Sequence, residues 1–258
     1  MTSNPLEISA LVVAHNEQDC LARCLDSLQF ADEIVVVLDR CSDHSEQIAT
    51  RYTNNLYHGA WEIEGERRNF GRLKCKGKWV LEIDADEVVP PELAEEIRVE
   101  IKKDLPGYYS IPVDNYIGKK LIRYGWGCYW GVSAAPRLTR KNDKKWGLQR
   151  IHPSIELKGP VRHLRVGFKH YVDQDLSDIL KRLDRYTKQR AADLISNPDL
   201  DDGLFHNIRR LFSRFLKCYI GRKGYCEGGW GFIIALMAGL YPLLSHLRAK
   251  VEKEDSQC

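Results

Sequence analysis

Three short runs of branched apolar residues, each ending in a polar turn, constrain this chain more than any other feature. Ile8 to Ala14 (Ile-Ser-Ala-Leu-Val-Val-Ala), Ile34 to Leu38 and Trp79 to Ile83 are continuous rather than alternating, as expected of strands covered on both faces. Helical periodicity fills the gaps. Leu21, Leu25 and Leu28 recur on one face, and a second helix is predicted near Glu46 to Tyr52. Asn16 is expected to cap the first helix, and Asp43 with Glu46 has the spacing of a capping box for the second. Leu56 to His58 reads as a third, shorter strand and Glu66 to Cys75 as a helix. Pro90-Pro91 followed by Glu92, Glu95 and Glu96 opens another helix, with proline in the first turn and acids at the positive end of the dipole. Strand, helix, strand, helix is the pattern of an α/β fold built on a parallel sheet. It places Ala14 to Glu17, Asp39 to Asp43 and Asp84 to Glu87 at carboxyl ends of strands, the edge where ligands bind in open α/β sheets.

The third of these turns, Asp84-Ala85-Asp86-Glu87, carries the strongest chemistry. A buried strand that delivers two carboxylates one residue apart into a turn suits a divalent cation and the phosphates it neutralises. Asp84 and Asp86 are the candidate metal ligands, with Asp86 binding directly and Asp84 reaching a ribose or the metal through water. A capped turn ahead of the Pro91 helix is the structural alternative. In the first turn, Ala14, His15, Asn16 and Glu17 offer a backbone edge and polar groups to a base or ribose. Asp39 directly terminates the second strand and suits an imide N–H such as that of uracil. Arg67, Arg68 and Asn69 precede the Asp-x-Asp strand, where a guanidinium reaches phosphate, although one of the two arginines reads as a solvated charge.

Beyond Gly107 the pattern turns irregular and aromatic, with Tyr108, Tyr109, Tyr116, Tyr124, Trp126, Tyr129, Trp130 and Trp146 among glycines. Such rings suit a sugar or lipid acceptor and equally the filling of a loop-rich core. Leu176 to Ile195 reads as an amphipathic helix. Phe205 to Cys226 then holds Arg209, Arg210, Arg214, Lys217, Arg222 and Lys223 without one acid, which suits an anionic surface. The apolar stretch Trp230 to Leu244 follows it. At ~15 residues it is shorter than the ~20 of a spanning helix, and Gly239 and Pro242 weaken it, so an in-plane membrane anchor is expected; a buried core or dimerisation helix is the alternative. The eight cysteines show no Cys-x-x-Cys pair or zinc-like spacing, which reads as reduced thiols of the cytosol. Met1 to Glu7 is polar and lacks the regions of a signal peptide. The expected location is therefore the cytoplasm, at the inner face of the cytoplasmic membrane.

The succession Val12-Val13-Ala14-His15-Asn16-Glu17, Ile34-Val35-Val36-Val37-Leu38-Asp39, Arg67-Arg68-Asn69 and Trp79-Val80-Leu81-Glu82-Ile83-Asp84-Ala85-Asp86-Glu87 resembles the family 2 glycosyltransferases of the GT-A fold. Within them it is most similar to the lipopolysaccharide core glycosyltransferases of the WaaE type. The likeness extends over Arg137-Leu138, the Ile151-His152 region, His170-Tyr171, Arg185-Tyr186-Thr187 and the basic and apolar tail. It implies a Rossmann-like, mostly parallel sheet flanked by helices, with a C-terminal helical membrane-associating extension. On this reading residues 1–175 form the GT-A domain, 1–105 holding nucleotide sugar and metal and 106–175 facing the acceptor, and 176–258 form the extension. The implied reaction is inverting and metal-dependent, with Mg²⁺ or Mn²⁺, and moves a hexose. The expected donor is UDP-glucose and the expected acceptor a lipid-linked saccharide such as lipopolysaccharide inner core, with no nucleic-acid partner.

Direct displacement needs a base to take the acceptor hydroxyl proton. His152, Glu156 and Asp114 are the candidates, and a structural role is open for each. Members of the subfamily often carry Glu after the histidine matching His152, where this chain has Pro153. Three other functions compete. Transfer to polyprenyl phosphate differs only in acceptor. A haloacid-dehalogenase-type phosphatase would use Asp84-x-Asp86-x-Val88, but that motif belongs on a first strand, and here at least two precede it. A non-catalytic membrane adaptor would keep the fold without turnover.

Overall fold

Ile8 to Ala14, Ile34 to Leu38 and Trp79 to Ile83 all lie in strands in a computed structural model of the chain, which describes residues 6–127, 130–149, 153–197 and 203–255. The chain divides into two units: Met1–Val113 with Ala134–His170, and Asp114–Ser133 with Tyr171–Cys258.

In the first unit the elements run β1 (Ile8–Ala14), α1 (Leu21–Ser27), β2 (Glu33–Asp39), α2 (Ser45–Ala49), β3 (Leu56–Gly59), α3 (Glu64–Lys74), β4 (Trp79–Asp84), β5 (Glu87–Val88) and α4 (Pro91–Lys102). The strand β6 (Tyr108–Ile117) and the hairpin strand β7 (Lys120–Ile122) lead toward the second unit. The chain returns through β8 (Ala134–Arg140), β9 (Lys144–Trp146), β10 (Ile155–Leu157), β11 (Val161–His163) and β12 (Phe168–Asp173). Strands β3, β2, β1 and β4 lie side by side and parallel, and β8 joins β4 antiparallel. Strand β1, at the centre, pairs Ala14 with Leu38 and Val13 with Asp84. The carboxyl ends of β2 and β4 therefore flank that of β1. All seven residues of β2 are buried, which explains the unbroken apolar run. Leu21, Leu25, Leu28, Leu93 and Ile97 cover one face; Gly71 lets α3 approach Leu11 and Val37 on the other.

Local capping is where the sequence reading needs correction. Helix α1 starts at Leu21 behind Cys20, with no side-chain cap. Asn16 instead adopts a left-handed φ of 56°, and its Oδ1 accepts the Ser42 N–H at 2.8 Å. Asp43 likewise forms no capping box; it accepts the Ser45 N–H at 3.0 Å and the Gln18 N–H at 3.0 Å. Both side chains stitch two strand-end turns together, and Asp43 also meets the first N–H of α2. At α4 the expected proline does stand in the first turn, with Glu92 beside it.

The second unit is helical: α5 (Leu176–Ser196), α6 (Leu204–Leu216), a π-helical turn Lys217–Gly221, a 3₁₀ turn Gly224–Glu227 and α7 (Gly229–Asp255). Asp175 caps α5 by accepting the Asp178 N–H at 3.0 Å. Trp126 and Trp130 pack with Ile179, Leu183, Ile234 and Met237, so most of the described aromatic middle is core; Tyr109 and Trp146 are buried in the first unit, and Tyr124 is exposed. The sequence reading underestimated α7. It continues for 27 residues through Pro242, and 24 of them are long and apolar enough to cross a membrane by length and composition. More than half of its most apolar stretch is nonetheless buried within the protein.

Gly239 sets the approach of α6 and α7. A Cβ there would lie 2.6 Å from the Leu211 carbonyl oxygen, which is backbone and cannot swing aside. Gly239→Ala is therefore expected to destabilise the helical unit by ~1–3 kcal/mol, seen as a lower thermal midpoint.

Candidate active site

The turn after β1 and the turn after β2 are laced by backbone-to-side-chain bonds. Besides the Asn16 and Asp43 contacts, the Glu17 N–H reaches Ser45 Oγ at 2.9 Å and the His44 N–H reaches Gln18 Oε1 at 3.1 Å. His15 Nδ1 lies 2.5 Å from the Asp39 carbonyl oxygen. Ala14 is buried and His15 and Asn16 are exposed. The result is a rigid rim of loop on the carboxyl side of the sheet.

Asp39 sits under that rim, 1% exposed. Its Oδ1 accepts the Trp61 N–H and Arg40 Nε, each at 3.1 Å, and its Oδ2 accepts Arg67 Nη1 at 2.9 Å. Burial pushes its carboxyl up, but these donors together hold it below the usual carboxylate range. A base N–H reaching Asp39 would take the place of one of them. Arg40 is the one facing solvent, with half its side chain exposed.

Asp84 ends β4 with both oxygens occupied, Oδ1 by Arg68 Nη2 at 2.9 Å and Oδ2 by Arg137 Nη2 at 2.6 Å. Arg137 also reaches Glu87 Oε1 at 2.6 Å, and Glu87 Oε2 accepts the Asp84 N–H at 2.8 Å. Burial alone would raise the Asp84 carboxyl; the two guanidiniums overcome it and hold the group far down. Glu87 moves the other way, because its burial is reinforced by the charge on Asp84 and only partly offset by Arg137. Ala85, between the two aspartates, is buried.

Asp86 is different. Its side chain is 39% exposed, and Oδ2 lies 3.2 Å from His170 Nε2, on the strand whose His170 pairs with Glu87 in register. Burial would depress the His170 imidazole, but the hydrogen bond and charge of Asp86, followed by the charges of Glu87 and Asp84, raise it. Asp86 and His170 thus present one oxygen and one nitrogen ligand, and the described residues contain no group of three or more His, Cys, Asp or Glu able to hold a metal. The Asp86 carboxylate alone suits a hard cation, and an ion held there would take most of its sphere from other oxygen donors.

The remaining candidates are dispersed. Arg67 serves Asp39 and Arg68 serves Asp84. Asn69 clamps the Trp146 backbone, donating to its carbonyl at 2.8 Å and accepting its N–H at 3.0 Å. Glu156 lies exposed at the middle of β10, opposite Lys145; Asp114 lies on β6 in the second unit, half-buried. His152 falls outside the described residues. Sequence reasoning gave no role to Glu87, Arg137 or His170. The histidine and arginine were visible only as matched positions, since their partners lie 84 and 53 residues away.

The profile of glycosyl transferase family 2 matches residues 9–155. The lipopolysaccharide core biosynthesis glycosyltransferase LpsC of Rhizobium meliloti is 22% identical over 258 residues, covering 93% of this chain and 90% of that protein. A Rickettsia prowazekii protein named "uncharacterized glycosyltransferase RP128" is 24% identical over 246 residues, covering 90% and 82%. Among solved structures, Staphylococcus aureus TarS 1–349 in complex with UDP-GlcNAc superposes with a TM-score of 0.50 at 15% identity, covering 97% of this chain and 92% of that one. At that identity the likeness is one of fold.

Proposed function

The chain belongs to glycosyl transferase family 2, and from that premise we propose that it transfers a hexose from a nucleoside diphosphate sugar, UDP-glucose first among candidates, to a lipid-linked saccharide of the lipopolysaccharide core type. The observation that carries this reading is the turn after β4, where Asp86 stays half-exposed beside His170 while Asp84 is locked by Arg68 and Arg137. Asp86 and His170 are the groups that would hold Mg²⁺ or Mn²⁺, with Asp84 behind them as the anchor of two arginines. The cation, when bound, supplies positive charge to a departing diphosphate. Asp39 and the Ala14–Glu17 rim, set on the other flank of β1, would receive the nucleoside.

The acceptor class has two supports. LpsC, similar over nearly its whole length, bears a lipopolysaccharide core name, and the helical unit carries an apolar and cationic surface of the kind a lipid-borne substrate requires. Residues 1–105 would hold donor and metal, 106–175 the acceptor side, and 176–258 the approach to membrane. An inverting displacement needs a carboxylate or imidazole base, and His152, Glu156 and Asp114 remain its candidates. A phosphatase mechanism through Asp84 is disfavoured, because a nucleophile needs a free oxygen and both of its oxygens accept guanidinium N–H groups.

Incubating the full chain and Mn²⁺ or Mg²⁺ with a panel of nucleotide sugars tests the reading. A cation-dependent rise in thermal midpoint with one UDP-hexose, accompanied by slow donor hydrolysis, is expected. No response to any nucleotide sugar under either cation would reject it.

A further inference from the structure

We infer that α6 and the π-helical turn after it form an in-plane membrane-binding element, which seats the protein on an anionic bilayer surface through an exposed apolar ridge. Helix α7, the more apolar of the two, is committed elsewhere: Ile234, Ala235, Met237 and Ala238 are all buried in the helical core. Helix α6 is built the other way round. Only Asn207 of its 13 residues is buried, while Phe205 is 82% exposed, Phe212 61%, Leu216 51% and Ile220 59%, with Ile208 at 40%.

The spacing makes these residues one surface. Positions 205, 208, 212 and 216 recur at intervals of three and four, the period of a single helical face, and Ile220 extends it by one turn. The inner face of α6 turns toward α7, where Leu211 meets Gly239. Next to Ile220, Tyr219 meets the rings of Tyr225 and Phe232, both about half exposed. Phe232 packs edge-on against Phe215 and Tyr219 at 5.4 and 5.9 Å. Aromatic rings held this way favour the headgroup level of a bilayer.

Charge selects the occupant. From Leu204 to Cys226 there is no acidic residue, and Arg209, Lys217 and Lys223 are exposed. A ridge of large apolar side chains with exposed cations on and beside it is the pattern of helices that lie in the interface of anionic membranes. A protein partner would need an acidic rim around an apolar groove; a bilayer of anionic lipid supplies both features without a specific contact. The inference deepens the lipid-linked acceptor reading above, but it stands on surface geometry and can be tested without any sugar transfer.

The test is flotation of the full chain with vesicles, in the absence of donor and acceptor. Phosphatidylglycerol–phosphatidylethanolamine vesicles are expected to capture the protein, with capture falling as salt rises, and phosphatidylcholine vesicles to capture much less. Phe212→Ser should weaken capture roughly tenfold or more, since one buried aromatic side chain is worth about that factor or above; Arg209→Gln should weaken it mainly on the anionic vesicles. Phe205→Ser, at the most exposed position, repeats the test should the first variant fold poorly. Leu180→Ser is the control, an exposed apolar residue on α5 that should leave capture unchanged.

Three results would overturn the inference: equal capture by all lipids, equal loss from Leu180→Ser and Phe212→Ser, or retention of the bound protein through alkaline carbonate, which marks a spanning helix. Concentration-dependent dimerisation abolished by Phe212→Ser, without vesicle capture, would reassign the ridge to a second copy of the chain. Vesicle capture with no response to nucleotide sugars would leave the inference intact and reject only the reaction.

Discussion

Asp86→Ala is expected to abolish cation-dependent donor binding and to lower sugar transfer at least ~100-fold, the scale on which a single electrostatic contributor to a transition state acts. Its thermal midpoint should hardly move. Asp86 is partly exposed, so its pairing with the more buried His170 is open to solvent on one side and worth about 1 kcal/mol. Asp84→Ala provides the contrast. That change strips a carboxylate from between Arg68 and Arg137, whose side chains are only 11% and 12% exposed, and removing one partner of a buried pair costs ~3–5 kcal/mol. Two aspartates one residue apart should thus fail differently, one in binding alone and the other in folding first. The pH response follows from His170. Its imidazole is held above the ordinary 6.5 by Asp86 in spite of burial, and a protonated imidazole cannot ligate a metal. Cation-dependent donor binding should therefore strengthen as pH rises through that raised value and weaken below it. Isothermal titration of Mn²⁺ and donor into both variants, at two pH values, reads all of these effects; unchanged turnover in Asp86→Ala would reject the metal assignment.

The parallel half of the sheet was legible because strands covered on both faces have few choices. Consecutive buried positions, as in Ile34 to Leu38 of β2, demand an unbroken apolar run, and a polar residue directly after it marks the strand end. The positions of Asp39 and Asp84 follow from that alone. What a linear reading could not give is which group answers which across the fold. Asn16 and Asp43 stand at capping distance from helix starts, yet Asn16 bonds Ser42, 26 residues away, and Asp43 divides its oxygens between Ser45 and Gln18, the latter 25 residues away. A short polar side chain satisfies any nearby backbone N–H, and spacing cannot tell a cap from a neighbouring loop. Helix α7 shows the same limit: Pro242 reads as a breaker, but the helix passes through it. The aromatic residues after Gly107 are ambiguous for a related reason, since a ring that stacks on a sugar and a ring that fills a core have one composition. Trp126 and Trp130 are core, whereas Tyr116 stacks on Tyr171 at 5.3 Å.

Glu82→Ala should destabilise the fold strongly, by ~3–5 kcal/mol. A glutamate in the middle of the apolar run Trp79 to Ile83 looks like a strand residue turned to solvent, but Glu82 is 1% exposed. Its Oε1 accepts Arg72 Nη1 at 2.7 Å, and its Oε2 accepts Lys144 Nζ at 2.6 Å and Trp146 Nε1 at 3.1 Å. Arg72 spends its other nitrogen on Thr139 Oγ1 and on the Arg140 and Lys141 carbonyls, at 2.9, 3.0 and 2.9 Å. Without Glu82, two cations remain in a dry interior, and the arginine cannot shed its proton. Burial by itself would raise the Glu82 carboxyl; Lys144 and then Arg72 overcome that and pull it down to about 2. The folded value lies below the unfolded 4.5, so the stability it contributes is complete above 4.5 and is lost as pH falls from there toward 2. Acid unfolding of Glu82→Gln should accordingly lack the part of the transition that falls in this window. The same residue reaches the site through contact as well as charge: Trp146, bonded to Glu82, lies under the Arg68 guanidinium at 4.8 Å, the Glu82 carboxylate adds to the charges that favour protonated Arg68 and Arg137, and Arg68 holds Asp84. Glu82→Gln, the milder variant, should therefore lower turnover more than donor affinity, because it leaves Asp86 in place while loosening the arginine that fixes its turn. Equal loss in turnover and affinity would place the effect in global unfolding instead, which the denaturation midpoint of the same variant reports independently.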